Sequence, residues 1–146
     1  MFKHILVPAD GSDNAQRAVD KAISLAKAFD SEVSIIYVID PYAFTGVGTD
    51  FSYGQAEYLS AATAEGNQAL EATRAAFEAA GVSKVNSAVV EGHAVYKGIL
   101  ESAAKLGADL IVMGSHGKRG LEKLVLGSVT SQVLSHAHLP VLVVRD

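Results

Sequence analysis

Short apolar runs alternate with helical patterns along the whole chain. Five runs rich in valine, isoleucine and leucine have the length of buried strands, and they cover residues 3–9, 33–39, 85–90, 109–113 and 140–144. Between them, apolar residues recur every three or four positions, as in amphipathic helices, over residues 12–29, 55–80, 94–106 and 128–136. Parallel strands need crossover connections, and right-handed crossovers place helices on both faces of an open sheet. The alternation therefore predicts one doubly wound α/β domain over residues 1–146.

Composition argues against several classes of function. The net charge is −4, so no general attraction to nucleic acid or to an anionic membrane surface is expected. The chain contains no cysteine, which excludes thiol catalysis and cysteine-held metals. No apolar run approaches the roughly 20 residues that a membrane-spanning helix needs. We therefore expect a cytoplasmic protein that neither binds nucleic acid nor inserts into a membrane.

Two of the strand exits carry residues suited to a ligand. The first strand ends in Pro8, Ala9 and Asp10, and the fourth ends at Met113, directly before a glycine. In open α/β sheets, ligands bind beyond the carboxyl ends of the strands, where the strand order reverses. If the first and fourth strands are neighbours, the two exits share one crevice, and a ligand site is expected there.

The sequence GSHGKRGLEKLVLGS begins at the exit of the fourth strand, and three of its glycines are separated by two and by nine residues. These are Gly114, Gly117 and Gly127, and Ser128 follows the last of them. Glycine lets a ligand approach the backbone and permits a positive φ, which turns N–H groups inward. Gly127 and Ser128 begin a helix, and the unpaired N–H groups and positive dipole end of a helix start favour phosphate. The hydroxyl groups of Ser128 and Thr130 are expected to add donors.

Phosphate contacts alone give too little binding energy for such a site. A charge at a helix N-terminus gains about 0.3–1 kcal/mol, or about 2 kcal/mol when partly buried. Micromolar affinity requires about 8 kcal/mol. A nucleotide would therefore need to bury its base and sugar as well, and the edges of Pro8, Ala9, Val38 and Met113 are suited to that.

These features together resemble the ATP-binding branch of the universal stress protein family. The resemblance rests on ILVPADGS at positions 5–12, ADLIVMGSHG at 108–117 and GSVTSQVLSHAHLPVLVV at 127–144. The family's motif, Gly-x2-Gly-x9-Gly-[Ser/Thr], is matched in full by Gly114, Gly117, Gly127 and Ser128. One departure is Ala9, which stands where a hydroxyl residue is frequent in the family. The resemblance implies a Rossmann-like, adenine nucleotide alpha hydrolase-like fold whose parallel sheet has the strand order 3-2-1-4-5.

The resemblance also implies an ATP site at these exits, with Mg²⁺ on the phosphates as an option. Adenine is expected beside Ala9, Asp10 and Val38, and the ribose and phosphates along Gly117 and residues 127–130. The full set of expected nucleotide-binding residues is Pro8, Ala9, Asp10, Val38, Met113, Gly114, His116, Gly117, Gly127, Ser128, Val129 and Thr130.

The roles of Asp10 and His116 stay open at this level. Asp10 could meet the base, the ribose or a phosphate-bound Mg²⁺, or it could simply cap the first helix. His116 could approach a phosphate or act as a base, or it could be a solvated loop histidine. We expect no protein-held metal and assign no catalytic residue, because no combination of base, nucleophile and metal carboxylates is evident.

The function implied by the resemblance is that of a nucleotide-responsive stress-response module acting on an unidentified protein partner. The alternative is a slow ATP hydrolase or phosphotransferase that uses the same site. The resemblance further implies a homodimer, or a higher oligomer, formed by pairing of the last strand, Val141–Val144. The segment 41–54 is expected to be a loop that serves as a lid, as a partner surface or as a plain connection.

Overall fold

The computed structural model describes residues 1–41, 51–116 and 126–145. Its elements in chain order are β1 (His4–Pro8), α1 (Asp13–Phe29), β2 (Glu32–Ile39), α2 (Phe51–Ala79), β3 (Val85–Glu91), α3 (Val95–Leu106), β4 (Leu110–Gly114), α4 (Ser128–His136) and β5 (Val141–Val144). The strands are parallel, and their order in the five-stranded sheet is β3-β2-β1-β4-β5. The predicted fold and strand order are confirmed, and so is the adjacency of the first and fourth strands.

The helices cover the sheet in two pairs, because the direction of the crossovers reverses after β3. Side chains of consecutive strand residues point to opposite faces. Val7 therefore packs with Phe77 beneath α1 and α2, whereas Leu6 packs with Ile99 and Val133 beneath α3 and α4. The strand order reverses between β1 and β4, which leaves a crevice at the carboxyl ends of these two strands.

The start of α2 differs from the prediction. The helix begins at Phe51, so the last four residues of the predicted loop 41–54 are helical, and residues 42–50 lie outside the described part of the chain. The side-chain amide of Gln55 donates to the carbonyl of Pro41 at 3.2 Å, and the Tyr58 hydroxyl donates to the carbonyl of Asp40 at 3.3 Å. These bonds fix Gln55 and Tyr58 of α2 against the exit of β2. Because extending a formed helix is easier than nucleating one, the helix continues backwards to Phe51.

Asp109 closes the opposite, amino end of the sheet. Its two carboxylate oxygens accept the backbone N–H groups of His4 at 3.0 Å and Lys3 at 2.8 Å. Burial by itself raises the pKa of this carboxyl, but the N–H bonds outweigh it, and the net pKa of Asp109 is lowered from 3.8. Among the residues that the structure describes, no helix is long and apolar enough to cross a membrane.

Candidate functional site

A cavity of about 440 Å³ opens where the carboxyl ends of β1 and β4 meet. This volume lies within the range of roughly 300–1,000 Å³ typical of small-molecule sites. Its walls come from the exits of β1, β2 and β4 and from the first turns of α1, α3 and α4, with one residue from α2. The lining residues are Pro8, Ala9, Asp10, Ala15, Tyr37, Val38, Glu65, Val95, Ile99, Met113, Gly114, His116, Gly127, Ser128, Val129 and Thr130.

The structure brings every described member of the predicted site into this one cavity. The exception is Gly117, which lies outside the described residues, as do Lys118 and Arg119. Five lining residues were not predicted, namely Ala15, Tyr37, Glu65, Val95 and Ile99. The spacing of Val95 and Ile99 on one face of α3 was a usable signal for two of them, but the sequence gives no sign that Glu65 of α2 reaches the site.

The first turn of α4 contributes Ser128, Val129 and Thr130 to the cavity wall. Its N-cap residue is Gly127, with φ −64° and ψ 159°, and no side chain caps the helix. By contrast, α1 is capped by Ser12, whose hydroxyl oxygen accepts the N–H of Ala15 at 3.1 Å. The N–H groups that open α4 therefore receive no side-chain cap from Gly127. An uncapped helix start that faces a cavity is suited to an anion, because the N–H groups and the helix dipole both favour negative charge.

Thr130 has a different role from the one expected. Its side chain is buried, and its hydroxyl donates to the carbonyl of Gly114 at 2.9 Å. The prediction that this hydroxyl is a donor for a ligand is therefore wrong, since its proton is used within the protein. The bond instead fixes the start of α4 against the end of β4, and Ser128 is left as the hydroxyl residue exposed at the helix start.

Gly114 is needed for a reason that the spacing of the glycines did not reveal. It lies in β4, and a positive φ is absent there, so the expectation of a turned backbone at this position is wrong. A Cβ atom at Gly114 would overlap the Asn14 side chain, lying 2.9 Å from its Cγ atom. The missing side chain thus makes room for Asn14, which packs from α1 against the end of β4.

Gly127 closes tightly on the exit of β4. Its N–H donates to the carbonyl of Ser115 at 2.8 Å. A Cβ atom here would lie 3.1 Å from the Cα atom of His116 and 3.4 Å from its Cβ atom. Glycine at this position allows the start of α4 to sit directly against His116, and the two together form one wall of the cavity.

Asp10 does not cap α1, because the N-cap of that helix is Ser12. One carboxylate oxygen accepts the N–H of Ser12 at 2.8 Å, which shapes the turn into α1, and the residue also lines the cavity. His116 donates its backbone N–H to Asn14 Oδ1 at 3.0 Å, and its Nδ1 atom lies 3.1 Å from the Ser115 hydroxyl oxygen. The geometry gives His116 no carboxylate partner among the described residues that would orient it as a base.

Two residues on β2 are held in the cavity wall by glycines of neighbouring helices. A Cβ atom at Gly66 of α2 would lie 2.7 Å from the Tyr37 ring, and one at Gly98 of α3 would lie 2.6 Å from Val38 Cγ1. Each helix therefore packs closely on its β2 neighbour. A larger residue at either position has to displace a side chain that lines the cavity.

The cavity lining combines apolar side chains with a helix start. Val38, Val95, Ile99 and Met113 are apolar, and Gly127, Ser128 and Val129 come from the N-cap and first turn of α4. Two carboxylates, Asp10 and Glu65, are the charged groups among the described lining residues, and no Lys or Arg is among them. Within the described chain no group of three or more His, Asp or Glu side chains could hold a metal. The arrangement suits a ligand with a flat apolar part and an anionic tail whose charge is partly neutralised.

The chain is similar to known proteins of one family over nearly its whole length. A family model described as the universal stress protein family matches residues 1–145. Universal stress protein MJ0531 of Methanocaldococcus jannaschii is 43% identical over 145 residues, covering 99% of this chain and 83% of that protein. The solved structure of MJ0577 from the same organism aligns with a TM-score of 0.87 at 32% identity, covering 100% of this chain and 97% of the other. A universal stress protein solved in complex with cAMP aligns with a TM-score of 0.69 at 26% identity, covering 99% and 97%.

Proposed function

The chain belongs to the universal stress protein family, and from this premise we propose that it binds ATP in the cavity between β1 and β4 and acts as a nucleotide-responsive regulatory module in the cytoplasm. The observation that carries the proposal is the uncapped start of α4 in the wall of a cavity that apolar side chains also line. The relative solved with cAMP supports a nucleotide as the ligand class. The regulated protein partner is a further element of the proposal.

The cavity divides naturally into a base subsite and a phosphate subsite. The adenine would lie between Val38 and Met113, where apolar side chains and the backbone at the exit of β2 can cover a flat ring. The phosphates would meet the N–H groups of Ser128 and Val129, with the Ser128 hydroxyl as a further donor. Burial of about 200 Å² of apolar surface contributes about 5 kcal/mol, which exceeds what the helix start alone supplies.

A divalent cation fits this proposal because the described lining has two carboxylates but no Lys or Arg. A triphosphate beside Asp10 would be repelled unless a counter-ion lies between them. Asp10 has one oxygen that takes no part in the bond to Ser12, and a carboxylate oxygen is the ligand that Mg²⁺ prefers. We therefore include Mg²⁺ on the phosphates, with Asp10 near it, in the proposed complex.

Dimerisation through β5 is the second part of the proposal. β5 lies at the edge of the sheet and pairs only with β4 in the described chain, so it presents unpaired backbone groups on its outer side. Leu142 in this strand is 40% exposed, which adds apolar surface next to that edge. Pairing of two β5 strands would cover both features, as the family resemblance implies.

The proposal is tested by extracting nucleotide from the purified protein and titrating ATP by calorimetry with and without Mg²⁺. Ser128→Ala should weaken ATP binding about tenfold, because it removes a hydroxyl donor of about 1.4 kcal/mol at the helix start. Ser135→Ala is the matched control, since Ser135 lies at the other end of α4 and bonds only to the carbonyl of Ser131 among the described contacts. Absence of extracted nucleotide together with no ATP binding at millimolar concentration would refute the proposal. Multiple-turnover phosphate release in the same samples would favour the hydrolase alternative.

A further inference from the structure

Asn14 is a buried polar residue that the motif does not include. It lies in the first turn of α1, its side chain is 3% exposed, and it is not among the residues that line the cavity. Its Oδ1 atom accepts the N–H of His116 at 3.0 Å, and its Nδ2 group donates to the carbonyl of Val144 at 3.4 Å. One amide thus joins α1, the exit of β4 and the end of β5.

The bonds around Asn14 determine the backbone on which the phosphate end is built. The carbonyl of Val144 also accepts the N–H of Ser115 at 3.0 Å, and the carbonyl of Ser115 accepts the N–H of Gly127 at 2.8 Å. His116, the residue that Asn14 holds, lies against Gly127 at the start of α4. A change at Asn14 is therefore transmitted to the α4 start through two residues of the β4 exit.

The Asn14 side chain occupies the space that a side chain at position 114 would need. A Cβ atom at position 114 would overlap the Asn14 amide and would lie 3.2 Å from the backbone oxygen of Asn14. The glycine therefore leaves room for the asparagine side chain, and substitutions at the two positions should have non-additive effects.

We propose that Asn14 is a positioning residue for nucleotide binding, which holds the His116 amide and the β4 exit in the form that the α4 start requires, and that Gly114 is glycine in this chain because Asn14 fills its place. The proposal rests on the ATP-binding function proposed above. Asn14 itself touches no nucleotide in this account, so its effect reaches the ligand only through His116 and Gly127.

The test compares Asn14→Ala, Asn14→Asp, Gly114→Ala and the double variant Asn14→Ala/Gly114→Ala, with Asn86→Ala as a control in the distant strand β3. Asn14→Ala should weaken ATP binding about tenfold, and Asn14→Asp should recover part of that loss at high salt, because the carboxylate still accepts the His116 N–H and its repulsion of the phosphates is screened. Asn14→Asp should nevertheless melt at a lower temperature than Asn14→Ala, because its second oxygen faces the carbonyl of Val144. Recovery of affinity without recovery of stability is the result that a merely structural residue would not give.

The role proposed for Gly114 is tested by melting temperature and ATP affinity in single and double variants. Gly114→Ala alone should lower the melting temperature and weaken ATP binding, whereas the same change in the Asn14→Ala background should have a clearly smaller effect on both, since only the 3.2 Å contact with the backbone oxygen of residue 14 then remains. Independent effects of the two substitutions, or an Asn14→Asp variant that binds no better than Asn14→Ala at high salt, would overturn the proposal.

Hydrogen exchange of the His116 amide separates this proposal from the proposed function. Loss of Asn14 Oδ1 should speed exchange of that amide in the nucleotide-free protein, whether or not ATP binds. Unchanged exchange in Asn14→Ala would contradict the positioning role. Faster exchange in a protein that never binds ATP would instead contradict the proposed function and leave the contact itself supported.

Discussion

The uncapped start of α4 makes a quantitative prediction for the substitutions Gly127→Asp and Gly127→Asn. The N-cap backbone, at φ −64° and ψ 159°, accepts any L-residue, and the nearest obstacle to a Cβ atom is the His116 Cα atom at 3.1 Å. Either side chain can then cap α4 as Ser12 caps α1. Relative to glycine, such a cap is worth a few tenths of a kcal/mol, and the aspartate charge adds about 0.3–1 kcal/mol. Displacement of His116 by a few tenths of an ångström offsets part of this, so stability should change by less than about 1 kcal/mol in both variants.

ATP binding should separate the two variants. Both caps compete for the same N–H groups, but only the aspartate places a negative charge near the phosphates. At a separation of about 5 Å, one unit charge costs about 0.8 kcal/mol in bulk water and about 3 kcal/mol at an effective dielectric constant of 20. The Asp variant should therefore bind ATP roughly 4- to 160-fold more weakly than the Asn variant.

Calorimetric titration with ATP and with adenosine provides the assay, and melting temperature provides the check on folding. Adenosine lacks phosphates, so the two variants should bind it equally. The ATP difference should shrink as salt is raised, because a partly exposed charge pair is screened. Equal affinity of the two variants for ATP, or an equal loss of ATP and adenosine binding in the Asp variant, would refute the assignment of the phosphates to the start of α4.

Three further predictions concern other parts of the molecule. Asp10→Asn should raise the affinity for ATP without Mg²⁺ and reduce the gain that Mg²⁺ brings, measured by titration with and without the cation; an unchanged response to Mg²⁺ would remove Asp10 from the phosphate end. Gly98→Ala should push Val38 towards the cavity and weaken ATP binding about tenfold, whereas Ala104→Ser, on the exposed face of the same helix, should not alter binding. Asp109→Asn should destabilise the protein at pH 7, and this loss of stability should shrink on acidification. A carboxyl whose folded pKa is lowered from 3.8 stabilises the fold above that value and loses its contribution as the pH falls through the folded pKa. Urea unfolding from pH 7 to acid pH checks the last prediction. A difference in the free energy of unfolding between the unmodified protein and Asp109→Asn that does not narrow on acidification would contradict it.

The fold could be predicted from the sequence because each element carries its own periodic signal. The apolar runs located the strands to within a residue or two, and residues 128–136 were assigned as a helix with the observed bounds. The reversal of strand order then placed the exits of β1 and β4 together, which explains why the predicted site residues share a cavity. These inferences need only local pattern and the handedness of the crossovers.

The remaining details depend on contacts between residues distant in sequence. The glycine spacing predicts that Gly114 lets a ligand approach the backbone, although the side chain packed against it is that of Asn14, one hundred residues earlier in the chain. The pattern predicts Thr130 as a ligand donor, although its hydroxyl donates to the carbonyl of Gly114. Glu65 reaches the cavity only because α2 packs closely on β2 at Gly66. Periodicity carries no information on such contacts, because they depend on the packing of complete elements.

A crystal structure of the protein grown with saturating ATP and Mg²⁺ would show where the phosphates and the base bind. We expect phosphate oxygens within about 2.7–3.2 Å of the backbone nitrogens of Ser128 and Val129, as in N–H···O hydrogen bonds. We also expect the adenine between Val38 and Met113. A nucleotide bound elsewhere on the molecule, or one that occupies this cavity with its phosphates turned away from α4, would refute the proposed binding mode.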